Sequence, residues 1–154
     1  MDELDVKLLD IFTNEPRIGA LEASRRLKVA RGTVTARLER LERTGVITGW
    51  APQLDPAAMG HPVTAFLTLE IRQGAGHDVV GDHLATIPEV LEVCTITGAG
   101  DLWCRVVARS NADLQTVIDR ALDHDGIVRS STVIALATQV PYRTGPLVRA
   151  SAGD

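Results

Sequence analysis

The amino-acid sequence predicts an α+β fold, in which an N-terminal winged helix-turn-helix is followed by a C-terminal ferredoxin-like βαββαβ domain. Over the first fifty residues, apolar side chains recur at helical spacing in three short segments. From residue 63 onward, segments with alternating apolar side chains are interleaved with two helical segments. The sequence therefore divides into a domain over 1–51, a linker over 52–62, a domain over 63–141 and a tail over 142–154.

Apolar spacing and helix-stopping residues define the first two helices. A helix is predicted over 4–13, and it ends before Pro16 because proline cannot continue the hydrogen-bond ladder. A second helix is predicted over 20–27, directly after Gly19. The apolar face of the first helix consists of Leu4, Leu8, Ile11 and Phe12, and the acidic residues suited to its positive N-terminus are Asp2, Glu3 and Asp5.

The third helix has the most regular pattern. Val34, Leu38 and Leu41 lie at i, i+4 and i+7 and form one buried stripe, and Gly45 supplies a left-handed cap. Residues 46–51 are predicted to form a strand or short hairpin, the wing. In this arrangement the third helix enters the major groove of DNA. The side chains predicted on its exposed face and flanks are Arg31, Thr33, Thr35, Arg37 and Arg40.

Basic residues are concentrated in this first domain. The chain has a formal net charge of −4, but residues 17–43 include eight basic and three acidic residues, which gives +5. The rest of the chain has a net charge of −9. Seven of the eight basic residues are arginines, which suit bidentate contacts to guanine or phosphate. The segment is therefore interpreted as an electrostatic footprint for double-stranded DNA, and a solvated helical surface is the alternative.

The second domain follows the order strand, helix, strand, strand, helix, strand, which is that of a ferredoxin-like antiparallel sheet with two helices on one face. The predicted strands cover 63–72, 90–97, 102–109 and 127–140. Val79, Val80, Leu84 and Ile87 form the apolar face of the first helix. Leu114, Val117, Ile118 and Leu122 form that of the second, which begins at a capping motif over 110–113.

The last strand is apolar on both of its faces. Val133 and Ala135 alternate along it with Ile134 and Leu136. An exposed apolar sheet face usually marks an interface. The sequence therefore predicts self-association through the sheet.

Several classes of protein are excluded by composition. The longest apolar run is five residues, 133–137, whereas a membrane span needs about 20. The acidic N-terminal segment is unlike a secretory signal, so a cytoplasmic location is expected. Cys94 and Cys104 are too few for a disulfide framework or zinc site, and both are expected to be buried free thiols. We recognise no nucleophile–base pair, metal-ligand cluster or phosphate loop, so neither an enzyme nor a cofactor is predicted.

Taken together, both halves of the chain resemble the Lrp/AsnC family of bacterial and archaeal regulators. The resemblance extends over about residues 2 to 140 as an ordered series of short motifs, none of which is decisive alone. These motifs are Leu4-Asp5, Ile11, Arg17-Ile18, Val34, the run over 37–42, Gly45-Val46-Ile47, Leu54-Asp55-Pro56, Gly60, Pro88-Glu89-Val90, Thr97-Gly98, Asp101 and Gly126-Ile127-Val128.

This resemblance implies a transcription regulator that binds double-stranded DNA through its third helix. It also implies a small effector, typically an amino acid, and a homodimer that assembles into a higher homo-oligomer. The effector is implied to lie at the loop between the second and third strands, formed by Thr97, Gly98, Ala99, Gly100 and Asp101. Glycines would let backbone N–H groups approach a carboxylate, and Asp101 could accept from an α-ammonium group. A plain hairpin turn is the alternative for this loop.

Three positions depart from the usual pattern of the family. Lys28 stands where glycine is common, Ala30 replaces a serine cap, and Ala23 replaces a leucine. Loss of such a cap costs about 1 kcal/mol. The departures concern the detailed geometry of the helix-turn-helix. The second function that the sequence leaves open is an architectural DNA-binding protein without an effector.

Overall fold

The structure is a computed structural model, and it describes residues 1–151. The chain forms two compact units. The first contains Met1–Gln53 and the described residues from Val140 onward, and the second contains Leu54–Gln139. No helix among the described residues is long and apolar enough to span a membrane.

The first unit begins with the three predicted helices, α1 (Glu3–Asn14), α2 (Ala20–Leu27) and α3 (Arg31–Arg43). The prediction for α2 is confirmed to the residue, and α1 extends one residue further at each end. Asp2 and Asp5 start α1 as a capping box, because each side chain accepts a hydrogen bond from the backbone N–H of the other.

The three helices pack around a small apolar core. Leu8, Phe12, Ala23 and Val34 are buried at its centre. Partly buried residues surround them, namely Ile11, Ile18, Ala20, Leu27, Val29 and Leu38. The stripe predicted on α3 is confirmed at Val34 and Leu41, and Leu38 is half-buried.

The prediction of a strand over 46–51 is wrong, since the structure has no strand there. The backbone N–H groups of Val46 and Ile47 both donate to the carbonyl of Leu41, so they close the C-terminus of α3 instead of joining a ladder. Trp50 then packs edge-on against Phe12, with ring centroids 5.3 Å apart. The segment therefore lies against the helices as irregular chain.

The segment predicted as a tail without a secondary-structure pattern, 142–154, contains a helix: α6 (Gly145–Ala150) forms there and packs on α1. Arg149 of α6 donates to the carboxylate of Asp10 over 2.7 Å, and Gly145 is buried near Thr13. A helix of six residues is too short to show a recognisable apolar period, which is why the sequence did not indicate it.

The second unit contains β1 (Val63–Ile71), α4 (His77–Ala85), β2 (Val90–Thr95), β3 (Leu102–Ala108), α5 (Asn111–Leu122) and β4 (Ile127–Ile134). The strands form one antiparallel sheet in the order β2-β3-β1-β4. The predicted order of elements and the ferredoxin-like arrangement are confirmed.

One face of this sheet packs against α4 and α5. The alternation predicted for β1 and β3 is confirmed, because alternate residues of both strands are buried in one cluster with residues of the two helices. The predicted N-cap of α5 is also confirmed, since Ser110 Oγ accepts from the backbone N–H of Asp113. The strand residues in the cluster are Ala65, Leu67, Leu69, Leu102, Cys104, Val106 and Ala108.

All four strands are shorter than predicted, β1 and β3 by one residue each and the other two by more. β4 ends at Ile134 rather than residue 140, because its partner β1 begins at Val63, after a proline that has no N–H to donate. β2 ends at Thr95 rather than residue 97, where the chain turns into the loop before β3.

Candidate DNA-binding and effector sites

The side chains of α3 are divided between a buried face and an outward face. Val34 and Leu41 are 1% and 2% exposed. Gly32, Ala36, Glu39 and Arg43 lie about half a turn away from them and are exposed. These four residues were not among those predicted to contact DNA, although a rotation of 180° from the apolar stripe identifies them. They form what we call the outward face of α3.

The residues predicted for DNA contact are placed differently from one another. Arg31 and Thr35 are exposed near the start of α3, where Thr35 Oγ1 donates to the carbonyl of Arg31 over 3.2 Å. Thr33 is half-buried on the flank of the helix. Ala30 is the N-cap residue of α3, and its methyl side chain cannot accept a hydrogen bond. The N–H groups of the first turn therefore have no side-chain cap from this position.

Arg37 and Arg40, the other two predicted contacts, bind carboxylates of α1. Arg37 Nη1 lies 2.7 Å from carboxylate oxygens of both Asp2 and Asp5. Arg40 Nη2 donates to the second oxygen of Asp5. We name these four residues the α1–α3 ion cluster. Both arginines are therefore engaged within the first unit.

Asp5 is fully buried, which is unusual for a carboxylate without several partners. Burial disfavours its charged form. The backbone N–H of Asp2 and the guanidinium groups of Arg40 and Arg37 outweigh this effect and lower the pKa of Asp5 to about 2. The Asp5 side chain is therefore charged at neutral pH and depends on the two arginines.

The other basic residues of 17–43 separate into paired and unpaired groups. Arg25 and Arg26 form ion pairs with acids of the first unit, Glu22 for both and also Glu15 for Arg26. Among residues 1–151, no ion pair involves Arg17, Lys28, Arg31 or Arg43. Lys28 is exposed at the turn between α2 and α3 with φ of +55°. The unpaired group is the cationic surface available to a polyanion.

In the second unit, residues 96–101 connect β2 to β3, and they include the predicted effector loop over 97–101. Asp101 fixes this loop to the end of β1, because its Oδ2 accepts from the backbone N–H of Ile71 over 2.8 Å. The backbone N–H of Asp101 donates to the carbonyl of Leu69, also over 2.8 Å. Within residues 1–151, no hydrogen bond occupies the backbone N–H groups of Gly98, Ala99 and Gly100. The loop thus offers donors to a ligand, while one oxygen of Asp101 has an internal partner.

The residues of β1, β2, β3 and β4 that alternate with the core form a second sheet face, which we call the open face. On it, the rings of Phe66 and Trp103 stack with centroids 5.1 Å apart, and the guanidinium of Arg105 lies 5.5 Å from the Phe66 ring centre. Val133, paired with Phe66 across the ladder, is 59% exposed. The open face is therefore apolar at its centre and accessible in the described chain.

The two cysteines do not share the environment expected for them. Cys104 is buried in the sheet core, but Cys94 is exposed, so the prediction that both are buried is wrong for Cys94. β2 is an edge strand, and Cys94 lies opposite Trp103 on the open face. Burial and then the neighbouring Cys94 raise the pKa of Cys104 to about 11, so its reactive thiolate form is scarce at neutral pH. The described residues contain no cluster of three or more potential metal ligands.

Two sequence-family models match this chain. The model described as the Lrp/AsnC ligand binding domain matches residues 64–144, and the model of a winged helix-turn-helix DNA-binding domain matches residues 1–48. Together they cover the three N-terminal helices and the second unit from residue 64 onward.

Individual relatives agree with this assignment. An uncharacterized HTH-type transcriptional regulator of Pyrococcus abyssi is 33% identical over 87% of this chain and 85% of its own length. E. coli AsnC is 25% identical, with a TM-score of 0.87 over 95% of this chain and 99% of its own. A feast or famine regulatory protein from M. tuberculosis, solved with L-methionine, is 25% identical, with a TM-score of 0.83 over 92% and 96%. The chain belongs to the Lrp/AsnC family of DNA-binding transcriptional regulators.

Proposed function

We propose that this regulator recognises specific sequences of double-stranded DNA, that an amino acid alters its DNA binding or assembly, and that it acts in the cytoplasm. The observation that carries the proposal is the outward face of α3. It is exposed along the third helix of a helix-turn-helix, and Arg43 on that face has no ion-pair partner among residues 1–151. A helix of this kind fits the major groove, where base edges differ between sequences.

The N-terminal end of a recognition helix usually enters the groove. In α3 this end includes Arg31, Thr33 and Thr35, whose side chains could contact bases or phosphates. Arg31 is exposed and unpaired among the described residues. Arg17 and Lys28 add positive charge in the segments that lead to α2 and α3. These cations would neutralise DNA phosphates and make the affinity depend on salt.

The effector proposal rests on the loop over 97–101. Its unoccupied backbone N–H groups suit the carboxylate of an amino acid, and a carboxylate oxygen of Asp101 suits the α-ammonium group. The relative from M. tuberculosis was solved with L-methionine, which supports an amino acid as the ligand class. Thr97 and Ala99 would contribute contacts beside the two glycines.

We also propose that two copies pair through the open face and that such dimers assemble further. Phe66, Trp103 and Val133 give this face an apolar centre, and Arg105 and Glu92 form an ion pair beside it. A second copy would bury this centre, since an exposed apolar patch of this kind favours association.

The substitution Val133→Asp should then reduce the mass measured by light scattering. Val79→Asp is the matched control, because Val79 is equally exposed but lies on α4. An unchanged mass for Val133→Asp would exclude this pairing.

Sequence specificity is tested by selecting duplexes with the wild-type protein from a random library. We expect a recurring motif, and an affinity for the selected duplex at least about a thousandfold above that for random DNA at one salt concentration. Equal affinities would favour the alternative, an architectural DNA-binding protein without sequence preference.

The effector is tested by melting the protein in the presence of each of the twenty amino acids. A ligand that binds the folded state must raise the melting temperature. The control is the α-carboxamide derivative of any active amino acid, because it lacks the carboxylate that the loop N–H groups would bind. Failure of all twenty to change melting temperature or mass would contradict the proposal.

A further inference from the structure

We propose that Asp5 is a positioning residue for DNA recognition: it fixes α3 against α1 through Arg37 and Arg40, and Arg37 supports base reading through this anchor without contacting a base. The inference rests on α3 being the recognition helix, as stated above. It assigns a function to the α1–α3 ion cluster, whose acids were predicted to suit the positive N-terminus of the first helix and whose arginines were predicted to contact DNA.

The geometry of the cluster uses both oxygens of the buried carboxylate. Asp5 Oδ1 lies 2.7 Å from Arg37 Nη1. Asp5 Oδ2 accepts from Arg40 Nη2 and, over 3.0 Å, from the backbone N–H of Asp2. No described residue other than these three bonds to the side chain of Asp5. The carboxylate is therefore satisfied only while α3 stays in place.

Asp2 makes the attachment two-sided. Its carboxylate accepts from Arg37 Nη1 and also from the backbone N–H of Asp5, over 2.9 Å, as the N-cap of α1. Asp2 and Asp5 are three residues apart on α1, and Arg37 and Arg40 are three residues apart on α3. Because the two acids of α1 and the two arginines of α3 have the same spacing, their contacts restrict both the rotation and the sliding of one helix against the other.

The same contacts limit what Arg37 can do at DNA. Its side chain is 25% exposed, and Nη1 already contacts three carboxylate oxygens. If the side chain turned toward a base, the buried charge of Asp5 would lose one of its two cations, which is strongly unfavourable. Arg37 would therefore remain at Asp5 when DNA is bound, while the neighbouring outward face approaches the base edges.

The test is a double-mutant cycle on affinity for the duplex selected by the wild-type protein. The variants are Asp5→Asn, Arg37→Gln and the combination of both. We expect each single substitution to weaken binding by about tenfold and the combination to weaken it no further, because all three remove the same anchor. Glu3→Gln is the matched control, since it removes an exposed acid of α1 whose single ion-pair partner among residues 1–151 is Lys7. Its affinity should equal that of the wild-type protein.

Two further readouts separate positioning from direct contact. Arg37→Gln should leave the dependence of affinity on salt unchanged, whereas Arg43→Gln on the outward face should lower its slope by about one. Arg37→Lys should restore most of the affinity, because a single nitrogen of Arg37 makes all its contacts in the cluster. An arginine that reads guanine with its planar fork would lose that geometry on replacement by lysine, and the base preference would change.

Several outcomes would overturn the proposal. These are a smaller salt slope for Arg37→Gln, an altered base preference for Arg37→Lys, or unchanged affinity for Asp5→Asn. If Asp5→Asn is unfolded by circular dichroism at the assay temperature, Arg37→Lys and Arg37→Gln still decide the question. If the wild-type protein selects no motif, sequence specificity fails as a function. The double-mutant cycle is then measured with random DNA. If the losses of affinity from Asp5→Asn and Arg37→Gln add up in the double variant, the two residues do not act as one anchor.

Discussion

Asp101 holds the end of β1 through Ile71: its Oδ2 accepts a hydrogen bond from the backbone N–H of Ile71 over 2.8 Å, where the ladder between β1 and β4 shifts register. A hydrogen bond to an ionised carboxylate contributes about 1.5–3 kcal/mol. We therefore expect Asp101→Ala to lower the free energy of unfolding by about 2 kcal/mol, measured by urea denaturation.

Two variants serve as controls for this prediction. Asp101→Asn retains an acceptor oxygen in the same place and should lose less stability than Asp101→Ala. Asp125→Ala removes an exposed acid of the same unit and should be close to wild type. If Asp101→Ala were as stable as the wild-type protein, the bond to Ile71 would not hold the loop.

Gly100 is required by the packing of the same loop. A Cβ at this position would overlap with Cγ2 of Thr68 and lie 3.2 Å from the carbonyl oxygen of Leu69. We expect Gly100→Ala to destabilise the protein by about 1–3 kcal/mol, as overpacking does elsewhere, measured by thermal or urea denaturation.

Thr68→Ser tests the origin of this effect, because it removes the methyl group with which the new Cβ would overlap. Combined with Gly100→Ala, it should recover part of the lost stability. Gly98→Ala is the second control: nothing lies near its added Cβ, and only its φ of +109° makes the substitution unfavourable. If Thr68→Ser recovers none of the stability lost in Gly100→Ala, the loss comes from backbone strain and not from the contact with Thr68.

The fold was largely predictable from the sequence because it follows from local periodicity. Alternation along β1 and β3 defines which residues face the core, and the stripe at Val34 and Leu41 defines the buried side of α3. Boundaries that depend on a partner were not predictable. β4 ends beside the start of its antiparallel partner β1. Val46 and Ile47 bond to the C-terminal turn of α3 instead of pairing as a strand.

The candidate sites were less predictable, for a physical reason. An arginine on a helix flank has the same spacing whether it faces DNA or a carboxylate of another helix. The pairing of Arg37 with Asp5 spans 32 positions of sequence, and no periodicity in either helix indicates it. Burial of Asp5 was likewise hidden, because an acid near a helix N-terminus is expected to be exposed.

The ionisation of Asp5 predicts how the first unit responds to acid. Its pKa is lowered from 3.8 to about 2 on folding, so the unfolded state binds its proton more readily. The stabilisation is complete above about pH 5 and is lost as the pH falls through 3.8 toward 2. By linkage it amounts to roughly 2 kcal/mol.

Urea denaturation of the wild-type protein and Asp5→Asn between pH 2 and pH 7 measures this contribution. The difference in unfolding free energy should be constant above about pH 5 and should shrink between pH 4 and pH 2. Asp113, whose pKa is also lowered to about 2, belongs to the second unit, so Asp113→Asn controls for acid effects outside the cluster. A difference that does not change with pH would show that folding does not lower the pKa of Asp5.

Lys28 combines an unfavourable backbone with an unpaired charge. Its φ of +55° lies in the left-handed region, which costs a residue with a Cβ roughly 1 kcal/mol relative to glycine. We expect Lys28→Gly to raise the free energy of unfolding by about this amount and to weaken DNA binding, with the salt slope lowered by about one.

Lys28→Ala removes the same charge but keeps the Cβ, so it should bind DNA as Lys28→Gly does without the gain in stability. Equal stability of the two variants would show that the turn is not strained, and wild-type salt dependence in both would exclude Lys28 from the DNA interface.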